Sequence, residues 1–325
     1  MKTLRCLLCL SAGSLLLAVA TAAVAQQGYP SRPVRVVVGW APGGGTDYLA
    51  RLVAQNLGQR LGQQFVVENR AGASGAIGAD LVAKSAPDGY TVLFSEMGSL
   101  VITPHLEKVP YNTVRDFTAV SLLANMYHVL VVHPSLPARS VKELIALAKA
   151  RPGEINYATS GSGSNMFIVN HLFKTLTDIN MIHVPYKGAG PAAMAVLSGE
   201  TQMMFSSITP VLQHVRSGRL VALAVTGPNR SPLLPEIPTL AEFGLREVVV
   251  ATWYALLAPA ATPREIHERL NAEVVKLAAT PGHRQQLENQ GFEPATSSPE
   301  QLSAFVKAEF EKWGRVIKDA GIKTD

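Results

Sequence analysis

The stretch VVVGWAPGGGTDYL, residues 36–49, decides how the rest of the chain is read. A β-branched run gives way to a glycine-rich loop and then to the start of helical spacing. A strand that ends in such a loop at the head of a helix is the usual frame for an anion site. The first helical N–H groups have no partner within the helix, and the helix dipole makes that end partially positive. Neither familiar phosphate signature is complete, however. Gly39 and Gly44 have P-loop spacing, but Gly45-Thr46 stands where lysine and a hydroxyl residue belong. The dinucleotide pattern fails because Tyr48 takes the place of the third glycine. Two readings stay open from this loop alone. It is either an anion-binding helix N-terminus suited to a carboxylate, or a tight strand-to-helix turn capped by Thr46.

Working outward, the same design recurs. Thr159-Ser160-Gly161-Ser162-Gly163-Ser164 follows the strand pattern of 155–159 and precedes helical spacing from Asn165, so it offers hydroxyl and backbone donors. Tyr186-Lys187-Gly188-Ala189-Gly190 repeats the form and adds a lysine, and Asn69-Arg70-Ala71-Gly72 leads into a small-residue helix. Ser206 lies just beyond the predicted strand 202–205. Glycine-rich loops at the carboxyl ends of several strands predict a ligand crevice there, and two sets of them in separate α/β units predict a cleft between domains.

Between these loops, strand and helix patterns alternate. Strands are predicted at 34–38, 65–67, 90–95, 128–132, 155–159, 181–185, 202–205, 220–226 and 252–257. Helices are predicted at 47–61, 75–85, 141–150, 165–176, 191–197 and 210–217. This order argues for parallel sheets covered by helices on both faces. A proline-rich stretch, 228–238, interrupts the pattern. Two amphipathic helices close the chain. One opens Thr262-Pro263-Arg264-Glu265 as a capping box. The other opens Ser298-Pro299 and carries an apolar stripe of Leu302, Phe305, Val306, Trp313, Val316 and Ile317.

Composition narrows the function. Lys2 and Arg5, an apolar run to about residue 20, and Ala23-Val24-Ala25 have the order of a secretory signal peptide, with cleavage expected after Ala25. About 300 residues then remain, enough for one large or two ordinary domains. Both cysteines, Cys6 and Cys9, leave with the signal, which excludes disulfides, thiol nucleophiles and cysteine metal sites from the mature chain. The net charge of +5 falls by two with Lys2 and Arg5, and the remaining basic residues are scattered, so no nucleic-acid partner is expected. Enzyme signatures are weak. Ser160 replaces the first glycine of a nucleophile elbow around Ser162, the eight histidines show no H-E-x-x-H spacing, and His128 reads as structural. No metal or cofactor is expected.

Taken together, several ordered stretches resemble a known family, the periplasmic solute-binding proteins of tripartite tricarboxylate transporters (Bug-type receptors). They are Tyr29-Pro30, Trp40 to Asp47, Glu68 to Gly75, Pro87 to Thr91, Asn156-Tyr157 with Ser160 to Ser164, Pro185 to Gly188, Ala222 to Thr226 and Pro235 to Thr239. The resemblance implies an α/β fold of the type II periplasmic binding protein class, with two domains, a cleft between them and a two-strand hinge. The implied first domain is 26–126 plus 230–325, and the second is 127–229. The implied function is capture of a small organic carboxylate by domain closure, for delivery to membrane permease subunits or a sensor, by a monomer in the periplasm. The ligand-binding residues it implies are Trp40, Gly43, Gly44 and Thr46 from one side, with Asp47 either ordering the loop or meeting a polar ligand group, and Ser160, Gly161, Ser162 and Ser164 from the other. Lys187 and Ser206 are further candidates, and Arg70 is a possible source of charge. The alternative is a secreted hydrolase or isomerase using the same cleft. Three departures from the family pattern stand out. Gly39 replaces a common proline and implies a looser start to the loop. Ser95-Glu96-Met97 would put a charge or a thioether near the cleft. Gln202 replaces a frequent aspartate and would alter specificity.

Overall fold

The computed structural model describes residues 28–324, so the expected signal peptide lies outside the described residues. The chain opens with β1 (Val34–Val38), α1 (Gly45–Leu61), β2 (Phe65–Asn69), α2 (Ala76–Ala83) and β3 (Thr91–Glu96). A π-helical turn (Gly98–Ile102) leads into α3 (Thr103–Leu106), and a ten-residue strand, β4 (Phe117–Met126), follows. One residue, Tyr127, separates β4 from β5 (His128–Val132). Next come α4 (Val141–Ala150), β6 (Asn156–Thr159), α5 (Asn165–Thr177), β7 (Ile182–Pro185), α6 (Ala189–Ser198), β8 (Met203–Ser207), α7 (Leu212–Arg216) and β9 (Val221–Val225). The chain ends with β10 (Thr252–Pro259), α8 (Arg264–Ala278), α9 (Pro281–Glu288), β11 (Phe292–Pro294) and α10 (Pro299–Asp319).

These strands build two sheets. The first has the order β11-β4-β10-β3-β1-β2 and the second β7-β6-β8-β5-β9. The expectation of purely parallel sheets is corrected here. β1, β2 and β3 are parallel, as are β6, β7 and β8, but β10 runs against both β3 and β4, and β5 runs against both β8 and β9. β10 and β5 are the strands by which the chain enters each sheet from the other. Each threads into the middle of its sheet from the far side, which reverses its direction.

The two crossings lie side by side, because Met126 at the end of β4 pairs with Thr252 at the start of β10. The return crossing comes late. After β9, Thr239 bridges to Val225, Val225 N–H donates to Pro238 O, and the Thr226 hydroxyl donates to Val250 O.

Local sequence explains most boundaries. α4 begins at Ser140, whose hydroxyl accepts the Glu143 N–H. α10 opens with a complete capping box between Ser298 and Gln301. Of its predicted stripe, Leu302, Val306, Trp313 and Ile317 are buried, while Phe305 is partly exposed. The capping box expected for α8 does not form. Pro263 is the cap residue, and the Thr262 hydroxyl turns back to Pro259 O at 2.7 Å. Nor does Thr46 cap α1. That helix starts two residues earlier, behind Gly44, with no side-chain cap.

Gly39 does not loosen the first loop. A Cβ placed on it would lie 2.6 Å from Gly75 O, and one placed on Gly78 would lie 2.7 Å from the Gly39 Cα. The end of β1 therefore rests directly on the backbone leading into α2. Gly39→Ala is predicted to lower stability in urea unfolding by about 1–3 kcal/mol through this overpacking. A neutral substitution would show that the contact is not tight.

Candidate functional site

The glycine-rich loops of the two domains meet face to face. Ala41 N–H donates to Lys187 O at 2.9 Å across the cleft, and Gly163 N–H donates to the Ser74 hydroxyl at 2.9 Å. The Thr103 hydroxyl bonds Gly163 O at 3.0 Å. The approach is closer than side chains would allow. A Cβ on Gly190 would stand 2.6 Å from Pro42 O, and one on Gly161 2.7 Å from the Ser74 hydroxyl. Gly161 also has φ +143°, in the region that favours glycine.

Between the loops lies a small enclosed cavity. Trp40, Ala41, Gly44, Gly45, Thr46, Glu96 and Tyr254 line it from the first domain, and Ser160, Asn165, Met166, Ala189 and Ser207 from the second, with His128 at the crossing. Its volume of about 20 Å³ suits roughly one water molecule, so a solute enters only when the domains part. A wider space of about 210 Å³ adjoins it, sharing Trp40 and Ser160 and adding Ser74, Gly161, Ser162 and Lys187.

Two helices present open N-termini to the cavity. α1 is capped by Gly44 and α6 by Gly188, neither with a side-chain bond to the first turn. Gly44, Gly45 and Thr46 of α1 and Ala189 of α6 are wall residues. Free N–H groups and two partially positive helix ends thus converge from opposite domains. α5 differs. Its Phe167 N–H is taken by the Ser164 hydroxyl at 3.2 Å, and its Met166 N–H by Asn165 Oδ1 at 2.7 Å.

The predicted residues separate by role. Trp40, Gly44, Thr46 and Ser160 line the cavity, while Gly161, Ser162 and Lys187 line the adjoining space. Gly43 forms the turn at φ +88° and donates to Asp47 Oδ2. Asp47 orders the loop from behind, bound to Gly43 N–H, Arg51 and Asn69 Nδ2. Burial raises the cost of its charge, but these hydrogen bonds hold its carboxyl below the ordinary range. Ser164 is buried and its hydroxyl also donates to Gly161 O at 2.7 Å, so it shapes the second loop. Ser207, rather than Ser206, faces the cavity, because β8 runs two residues further than predicted. Arg70 pairs with Glu68 on the exposed side. Gln202 binds Asn156 N–H at 2.8 Å and lines neither space, so its expected effect on specificity has no contact to act through.

Sequence reasoning missed several wall residues. Glu96 was legible only as a departure from the family pattern, and His128 read as structural. Both are buried, and both keep an unpartnered atom, Glu96 Oε2 and His128 Nδ1, as do Trp40 Nε1 and Ser207 Oγ. Burial pushes the Glu96 carboxyl up to about 7, with the Gly98 N–H opposing. Burial pushes His128 down to about 4, so its ring is neutral at pH 7. Tyr254, buried with its hydroxyl against Thr46, is also raised. A further cavity, about 670 Å³, lies behind the crossing strands among Tyr127, Arg230, Arg284 and Glu288, and none of the glycine loops reaches it. Among the described residues, no group of acidic, histidine or cysteine side chains is gathered that could hold a metal ion.

Two α/β domains joined by paired crossings, with loop-and-helix termini facing each other across the cleft, define a bilobed solute receptor. Residues 49–322 match the family model described as the tripartite tricarboxylate transporter family receptor, and the chain belongs to that family. It is 38% identical to the protein BugT of Bordetella pertussis, over 93% of each chain. Among solved structures it is similar to a Rhodopseudomonas palustris protein with adipate (TM-score 0.88, 36% identity, 91% of this chain and 99% of that one). It is also similar to MatC of the same organism with bound malate (TM-score 0.84, 32% identity, 89% and 100%). These relatives are receptors rather than enzymes, and the hydrolase or isomerase alternative finds no support among them.

Glu96 makes a pH signature. An unfolded glutamate titrates near 4.5 and the folded Glu96 near 7, so its contribution to stability is full below pH 4.5 and is lost as pH rises to 7. His128 acts oppositely, losing its contribution as pH falls from 6.5 to about 4. The two slopes offset each other in the wild type. Glu96→Gln removes one of them. Its stability relative to the wild type is predicted to rise by roughly 3 kcal/mol between pH 4.5 and 7. Urea unfolding at stepped pH measures this, and a pH-independent difference would contradict the buried placement.

Proposed function

We propose that the protein is an extracytoplasmic receptor that captures a small organic carboxylate by closing its two domains over it. The observation that supports this best is the convergence of the glycine-capped N-termini of α1 and α6 on one cavity, beside unpartnered donors at Trp40 Nε1 and Ser207 Oγ. Such a site holds a carboxylate through N–H groups and dipoles without a fixed cation. Ser160 and the Thr46 backbone complete the grip at the cavity. Gly161, Ser162 and Lys187 contact a ligand that extends into the adjoining space. The relatives solved with adipate and malate support the ligand class.

The domains move about a hinge. Strand membership supports crossings at Tyr127 and near 251, the latter beyond the boundary near 230 that sequence suggests. On this reading the mature protein begins after Ala25 and works as a periplasmic monomer. Its closed form docks on the membrane permease subunits of a tripartite transporter, or on a sensor. No helix among the described residues is long and apolar enough to cross a membrane.

A thermal-shift panel of mono-, di- and tricarboxylates tests the reading. A true ligand at 100 times its Kd adds about 2.7 kcal/mol of stability, and no stabilisation by any carboxylate would contradict it. Closure has its own test. Gly190→Ala sets a methyl against Pro42 O and is predicted to weaken binding by about tenfold or more while leaving urea stability within about 1 kcal/mol. Unchanged affinity, measured by calorimetry, would mean that the ligand does not need the closed form.

A further inference from the structure

The cavity has two chemically different walls. One carries the helix N-termini, the Trp40 indole N–H and the Ser207 hydroxyl. The other carries Glu96, which is 3% exposed. A buried carboxylate is costly unless it is paired and hydrogen-bonded. Glu96 has only the Gly98 N–H beside it, and its Oε2 is unpartnered. Among the described residues, Glu96 forms no ion pair. The titratable neighbours on this wall are His128 of β5 and Tyr254 of β10, and the charged Lys187 lines only the adjoining space. The His128 ring is neutral and Tyr254 keeps its proton, so neither supplies a countercharge.

We propose that Glu96 is a specificity residue and that the ligand is a small carboxylate bearing a protonated amine, its carboxylate held at the α1 and α6 N-termini and its ammonium group held at Glu96 Oε2. The proposal rests on the carboxylate-receptor reading above and goes one step further. An ammonium carboxylate brings the missing cation between the two walls together with the anion that the other wall accepts. Its net charge is zero, so closure adds no further charge beside Glu96. A dicarboxylate would instead bury two more negative charges next to it, unless Glu96 first takes up a proton.

The test is calorimetric titration of the full mature protein and of Glu96→Gln with glycine, β-alanine, 4-aminobutyrate and the common α-amino acids. These are set against propionate, butyrate, succinate, malate and adipate. The expected result is that one or more of the ammonium carboxylates binds the wild type at least about tenfold more tightly than its size-matched acids. Glu96→Gln then weakens that ligand by a similar factor, and its fold is checked by thermal unfolding. The wild-type affinity for that ligand also falls as pH drops below about 7, where Glu96 protonates, and the variant lacks this dependence. Tighter binding of a mono- or dicarboxylate by the wild type, with Glu96→Gln neutral or stronger, overturns the proposal and leaves the carboxylate receptor standing. Absence of binding by either class to either protein removes both.

Discussion

The structure depends on how closely two backbones approach across the cleft. Pro42-Gly43 of one domain and Gly190 of the other touch without side chains between them, and Ala41 and Lys187 share a main-chain hydrogen bond. A methyl group at that contact would hold the domains apart. Because it is absent, the N-termini of α1 and α6 reach the same small volume. Neither helix caps itself with a side chain there, whereas α5, from the same side of the cleft as α6, satisfies its own first turn through Ser164 and Asn165. The open helix ends are therefore a local choice made at glycines, and they leave donors free for a ligand.

The missing lysine of the first loop follows from the same arrangement. Backbone N–H groups and helix dipoles bind an anion with a moderate, distributed field, and a cleft that opens again can release it. Asp47, which the sequence offers either as a ligand contact or as a residue that orders the loop, takes the second role. It gathers Gly43, Arg51 and Asn69 behind the loop and fixes its shape. The acidic group that does face the cavity is Glu96, which burial leaves only partly ionised near pH 7. An anion-accepting wall opposite an unpaired carboxylate gives the site a polarity that neither wall has alone.

Much of this was legible in the sequence, for identifiable reasons. The glycine-rich loops and the β-branched runs before them are local signals, and Trp40, Gly44, Thr46 and Ser160 fall on the cavity wall as that pattern suggests. What was lost depends on distant pairing. β4 lacks clean alternation because its pairing with β10 shifts register twice, so neither burial nor polarity repeats at period two. β10 and β5 run antiparallel for a topological reason that no local window contains. Ser206 and Ser207 were exchanged because the end of β8 was placed two residues short, and a strand's facing residues alternate. Glu96, His128 and Tyr254 come from three strands and become a site only when the sheets close on each other.

The central claim is that a small carboxylate sits between the α1 and α6 N-termini with the domains closed. Backbone amide chemical shifts, followed while the isotope-labelled protein is titrated with its most stabilising carboxylate, test this most directly. The account predicts that the amides of Gly44, Gly45, Thr46, Ser160 and Ala189 shift together and saturably, with smaller changes at Tyr127 in the hinge. Shifts concentrated instead on Arg230, Arg284 and Glu288, around the larger cavity behind the hinge, would contradict it.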